Sequence, residues 1–118
     1  MAEYITKHAE KGTVNISEDV IAVMVSAAVT EVDGVAGFGN ATTPELIEIF
    51  GRKTPQRGLK IRFIDDKITI DVIVNVRLGG SITDIALNVQ ESVCREVESV
   101  TGMSAVVNVH VAGVSFDK

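Results

Sequence analysis

Only a few side chains in this 118-residue sequence could take part in covalent or acid–base chemistry. His8 and His110 are the only histidines and Cys94 is the only cysteine. A nucleophilic site needs a nucleophile, a base and an orienting group in contact. His8 falls in the polar opening stretch, which is expected to be a mobile arm. His110 alternates with valines near the end of the chain, where Asp71 or Arg77 could meet it across a sheet; a solvated strand face is the simpler reading. Cys94 lies off the main apolar stripe of its helix with no histidine near it in sequence, so it reads as a small half-buried filler. Asp65-Asp66 reads as a hairpin tip, not a cation site. No cysteine and histidine spacing suits zinc, and no calcium-loop pattern occurs. The expectation is therefore no catalytic residue, no metal and no cofactor.

The glycine-rich pieces are similarly weak. The run from Gly34 to Gly39 (GVAGFG) does not open a helix in the dinucleotide-binding fashion. Gly34-Val-Ala-Gly37 matches the GxxG spacing of KH loops that clamp nucleic-acid backbone, but it carries no Lys or Arg and follows Asp33. A KH-like nucleic-acid-binding module thus stands only as an alternative. Gly79-Gly80-Ser81 reads as a tight strand-to-helix turn.

The best lead is a charge cluster. Arg52, Lys53, Arg57, Lys60 and Arg62 fall within eleven residues that contain no acid. Such a run is self-repelling unless solvated or matched by an anionic surface. The apolar side of a short helix just before it presents Leu46 and Phe50. Together Leu46, Phe50, Arg52, Lys53, Arg57, Lys60 and Arg62 form the candidate partner-binding set.

These residues need elements to position them. Residues 1–11 are polar and are expected to form a flexible N-terminal arm ahead of a single domain over 12–118. A short strand over 12–16 leads to Ser17, an N-cap followed by Glu18 and Asp19 where the helix dipole favours acids. That helix is expected to run to about Val32 and stop at Gly34. It has two apolar stripes: Val20, Met24, Ala27 and Ala28 on one side, and Ile21, Val25, Val29 and Val32 on another. A helix apolar on two sides is usually covered on two sides, which points to self-association.

Thr43-Pro-Glu opens the brief helix of Leu46 and Phe50. A hairpin follows, with Phe63 opposite Ile68, Ile61 opposite Ile70, and Lys60 opposite Asp71 if Asp65-Asp66 is a two-residue turn. Ser81 caps a second long helix whose stripe is Ile82, Ile85, Ala86, Val89, Val93, Val97 and Val100. Glu96 lies on the Val89–Val93–Val100 seam, and Gly102 is the stop. A last strand over 105–112 turns Val107, Val109 and Val111 inward.

The fold class expected is α+β: a mixed, mainly antiparallel sheet with helices packed on one face, a two-layer sandwich. Its other face would be polar and open, carrying Lys60, Arg62, Asp71, Asn75, Arg77, Asn108 and His110.

Composition agrees with a binding role. Hydrophobic residues make up 46% of the chain, and with one Tyr, four Phe and no Trp there is little aromatic surface for stacking bases. The net charge is −5, so with the basic run at +5 the remainder carries −10, which disfavours bulk attraction to nucleic acid or anionic lipid. A lone cysteine excludes an internal disulfide and suits a reducing compartment. The opening MAEYITKHAEK has no apolar core, so no secretory signal is expected. The longest apolar stretch, Val20 to Val29, is about half of what a bilayer span needs.

Several pieces taken together resemble the alkaline shock protein family of small bacterial stress and envelope-associated proteins. They are GTVNISEDVI at Gly12–Ile21, AAVTEVDGV at Ala27–Val35, RGLKI at Arg57–Ile61 and ITIDVIVNVRLG at Ile68–Gly79. IALNVQESV at Ile85–Val93, VTGM at Val100–Met103 and VNVHVAGVSF at Val107–Phe116 follow in order. The chain departs from the family at Leu78, where an aromatic is frequent, and by the additional Gly80. It lacks the long polar extensions of larger members.

The resemblance implies a non-enzymatic, cytoplasmic scaffold or adaptor of the envelope stress response in Gram-positive-type bacteria, acting by protein–protein interaction near the membrane. It implies protein partners: a membrane-embedded anchor protein, or lipid-synthesis enzymes such as acetyl-CoA carboxylase, which the chain would regulate in the alternative reading. A homo-oligomer and membrane association through a partner, without a span of its own, complete the expectation. No catalytic residue is carried over, because the family has none established.

Overall fold

The computed structural model describes residues 4–39, 44, 47, 48 and 58–116. Among the described residues the main elements follow one another as β1 (Tyr4–Ala9), β2 (Gly12–Ser17), α1 (Glu18–Glu31), β3 (Val35–Phe38), β4 (Leu59–Ile64), β5 (Lys67–Arg77), α2 (Ile82–Thr101) and β6 (Ser104–Ser115). The class is α+β, as the sequence predicts.

β5 is the axis of the main sheet. β6 runs parallel along one edge of it, from Lys67↔Ser104 to Arg77↔Ser115. The other edge is shared end to end by two antiparallel strands. β4 pairs with Lys67–Val72 and β3 pairs with Val74–Val76. Ile73 joins them: its N–H donates to Gly58 O and its carbonyl accepts from Gly39 N, both at 2.8 Å. The chain thus leaves the sheet at Gly39 and re-enters at Gly58 beside the same residue. Gly58 sits at φ +74, and a Cβ there would lie 2.6 Å from Gly39 O, so only glycine fits the re-entry point.

Alternation along β5 separates the two faces. Ile68, Ile70, Val72, Val74 and Val76 are fully buried under the helices. α1 adds Ile21, Val25 and Val29, and α2 adds Ile85, Val89, Val93 and Val97 at strict i, i+4 spacing. Each such side chain contributes about 1.5–3 kcal/mol on burial. Ser17 and Ser81 cap the helices by accepting from Val20 N and Asp84 N, and Gly102 ends α2 in the left-handed conformation.

The β4–β5 register is the one expected, with Phe63 against Ile68, Ile61 against Ile70, and Lys60 against Asp71. Asp65 takes φ +57 at the tip, as a two-residue hairpin turn requires.

Four differences have physical causes. Residues 4–9, set apart above as an arm, form β1, which pairs with β2 across a Glu10-Lys11 turn; alternation in a polar ribbon is too weak to read from sequence. Gly34–Gly37 is not a clamp loop: it leads into β3, which pairs with β5, so the KH-like reading lacks its loop. The buried seam of α2 ends at Val97 and Thr101, which leaves Ile82, Glu96 and Val100 exposed. The second face of the sheet is not open throughout, since Asp71 and Ile73 on it are buried. Of the short helix expected around Leu46 and Phe50, Pro44, Ile47 and Glu48 are described and are helical, while Leu46 and Phe50 lie outside the described residues.

Candidate functional site

Three surfaces qualify as places where this chain could meet another molecule. The first is the sheet face away from the helices. Asp71, buried at the centre of β5, accepts from Arg62 Nη2 of β4 at 2.5 Å and from Asn108 Nδ2 of β6 at 3.0 Å. His110 Nε2 lies 3.5 Å from the same carboxylate. The pair forms diagonally: Lys60 is directly opposite Asp71, but the ion pair comes from Arg62, two residues along, as long side chains on a twisted sheet allow. One carboxylate therefore links three strands. His110 and an acid do converge, but on a flat strand face, with Arg62 and Asn108 occupying the carboxylate. Nothing there offers a nucleophile. Among the described residues no group of three His, Cys, Asp or Glu side chains could hold a metal ion.

The second surface is the groove between α2 and β6, lined by Leu87, Cys94, Ala105 and Val107 among others. Cys94 Sγ donates to Ala105 O at 3.6 Å. Burial, and then the Glu98 carboxylate beside it, push the thiol up from its ordinary value, so at neutral pH it is not a thiolate nucleophile. Its neighbours in the helix row act on the same strand: Gln90 Nε2 donates to Val107 O at 2.9 Å, and Glu98 Oε2 accepts from Ala105 N at 3.0 Å. The three side chains stand at i, i+4 and i+8, and they satisfy outward-facing backbone groups at the start of β6. Sequence reading missed this row. Its signal was there: a polar line on the α2 face next to the apolar seam.

The third surface is the outer side of α1. The stripe Ile21, Val25 and Val29 seals the core, whereas Val20 and Val23 are 54% and 69% exposed and Ala27 is exposed between them and Thr30. Val14 of β2 is also exposed. Acids stand at both ends, Glu18 and Asp19 before the stripe and Glu31 and Asp33 after it, with no Lys or Arg in the helix. Val20 and Ala27 belonged to the second stripe expected from sequence; Val23 was not singled out. Ala28, expected with them, is buried instead.

Of the sequence-derived partner set, Leu46, Phe50, Arg52, Lys53 and Arg57 lie outside the described residues. Lys60 is half-buried on β4, and Arg62 is engaged with Asp71. The Arg62 guanidinium serves the sheet through its pair with Asp71.

No helix among the described residues is long and apolar enough to cross a membrane. Solved structures of the MamM CTD share the fold. A doubly substituted form gives a TM-score of 0.57 over 83% of this chain and 95% of that one at 16% identity, and a copper form gives 0.52 over 86% and 90% at 16% identity. In sequence, the chain is 37% identical over 107 residues to the uncharacterized protein YqhY of Bacillus subtilis (strain 168), covering 90% of this chain and 79% of that protein. It is 32% identical over 106 residues to YloU of the same organism, covering 87% and 88%, and 30% identical over 106 residues to Spy1614 of Streptococcus pyogenes serotype M6, with the same coverage. Residues 6–116 match the model of the alkaline shock family, described by a cell envelope-related function, and this chain belongs to that family.

Proposed function

We propose that the protein is a non-enzymatic scaffold or adaptor of the bacterial envelope stress response, working by protein–protein contact close to the membrane. One observation carries this reading: α1 closes the core with one stripe and presents a second apolar stripe, centred on Val20 and Val23, to solvent. Exposed valines on consecutive turns of one helix have no role in the monomer and cost solubility, so a partner that covers them is the economical explanation. The acids at both ends of the stripe favour a partner with an apolar segment flanked by basic residues. A membrane-embedded anchor protein with juxtamembrane lysines and arginines has that chemistry. The same acids disfavour pairing of two α1 helices from separate copies, whose ends would repel.

The test is fractionation of bacterial cells that make the native chain or the Val20→Lys, Val23→Lys double variant. The native chain sediments with membranes and the variant moves to the soluble fraction with its fold intact by circular dichroism. Equal distribution of the two would refute a role for this stripe. A native chain found wholly in the soluble fraction, captured with a lipid-synthesis enzyme such as acetyl-CoA carboxylase, would favour the regulatory alternative.

A further inference from the structure

We infer that the second half of β6 is a strand-pairing edge for a second copy of this chain, distinct from the α1 stripe. The inference deepens the scaffold reading by naming the surface through which the scaffold would build on itself.

Among the described residues β6 is the outer strand of the main sheet, with β5 on one side of it. Its odd-numbered residues up to Val111 turn their N–H and C=O groups away from β5. Ala105 and Val107 show this directly, since their backbone groups bond to Glu98, Cys94 and Gln90 of α2. Strand alternation puts the polar groups of Val109 and Val111 on the same free edge.

α2 runs antiparallel to β6, and the row facing this edge continues backwards from Gln90 to Ala86 and Ile82. Neither has a polar side-chain atom. Among the described residues, the side-chain hydrogen bonds from α2 to this edge therefore reach as far as Val107.

Uncharged edges invite pairing, and proteins that are to remain single protect them with charge, proline or cover; among the described residues no strand other than β5 pairs with β6. From Val109 to Phe116 the strand has no proline and one ionisable side chain, His110, which lies on the face away from the helices beside Asp71. The extra residue Ala112, where the register with β5 shifts, ends the regular stretch just after Val111. The apolar surface continues past the edge: Val114 and Phe116 are exposed, and Leu78, also exposed, is tied to this end by its N–H to Ser115 O at 3.0 Å.

A second copy fits this edge best because an antiparallel two-fold uses up both edges and closes. With the axis at His110, Val109 of each copy exchanges hydrogen bonds with Val111 of the other. Val114 and Phe116 then extend toward the start of the opposing strand, where Leu87 and Val106 are exposed.

The experiment is amide hydrogen exchange by NMR on the intact chain over a dilution series, with mass followed by sedimentation. The expected result is a dimer whose Val109 and Val111 amides exchange at least about tenfold more slowly than on dilution to monomer. The double variant Val114→Lys, Phe116→Lys, which leaves the buried core untouched, should be monomeric with fast exchange at both amides and should still sediment with membranes through α1. A dimer whose Val109 and Val111 amides remain unprotected, or a chain that stays monomeric at every concentration, overturns the inference. Loss of membrane sedimentation in the α1 variant with the dimer intact confines the inference to self-pairing and leaves it standing.

Discussion

Removing either partner of the Arg62–Asp71 pair should destabilise the protein unequally, and the structure says which loss is worse. Asp71 has a side chain only 3% exposed on the central strand, whereas that of Arg62 is 41% exposed. Replacing Arg62 by Met keeps the apolar stem but strands a buried carboxylate with only the Asn108 amide and His110 beside it. That situation costs about 3–5 kcal/mol. Replacing Asp71 by Ala leaves a guanidinium that retains a path to water, so the loss is smaller, about 1–3 kcal/mol. Removing both leaves no stranded charge, and the double variant should fall short of the sum of the singles by at least about 1 kcal/mol. Urea unfolding followed by far-UV circular dichroism at neutral pH measures all four proteins, at one fixed concentration because self-association adds to apparent stability. Costs that add within about 0.5 kcal/mol, or a greater loss for Asp71→Ala than for Arg62→Met, would refute the reasoning.

Gly58→Ala combines a left-handed φ with a 2.6 Å approach to Gly39 O, so it should cost at least about 1–3 kcal/mol in the same assay, whereas Gly79→Ala, with open space around its Cβ, loses only the strain of its own φ. Cys94 should alkylate with iodoacetamide more slowly than a free thiol at neutral pH, and its rate should rise only at a pH above the free-thiol range; Glu98→Gln should bring that rise to lower pH. The linkage follows in sign: with the folded thiol held protonated, ionisation favours the unfolded chain, so this group's contribution to stability falls as pH rises past the unfolded value.

Much of this architecture is legible in the sequence because it rests on period. The alternation of Ile68 to Val76 gives β5 and its register with β4, and serines followed by acids give both helix starts. Other features depend on what lies across space. Nothing local shows that β3 and β4 meet at Ile73, since a parallel β6 and a shared edge are tertiary choices. Asp71 alternates with apolar neighbours like a solvent-facing residue, and only Arg62 and Asn108 on the flanking strands make its burial tolerable. Glu96 illustrates the limit of stripe counting: a one-residue drift of the seam moves it from the apolar line to water. The second stripe expected on α1 is legible only in part: Val20 and Ala27 are exposed, whereas Ala28 is buried, Met24 packs against the core, and the exposed Val23 lay outside that stripe.

A photo-crosslinking residue placed at position 23, compared in living cells with one at the exposed polar position Asn88 of α2, tests the binding role most directly. A discrete protein adduct from position 23, found in the membrane fraction and absent from position 88, is the predicted result. Adducts that are equal from the two positions, or none from position 23, would contradict a scaffold that works through its first helix.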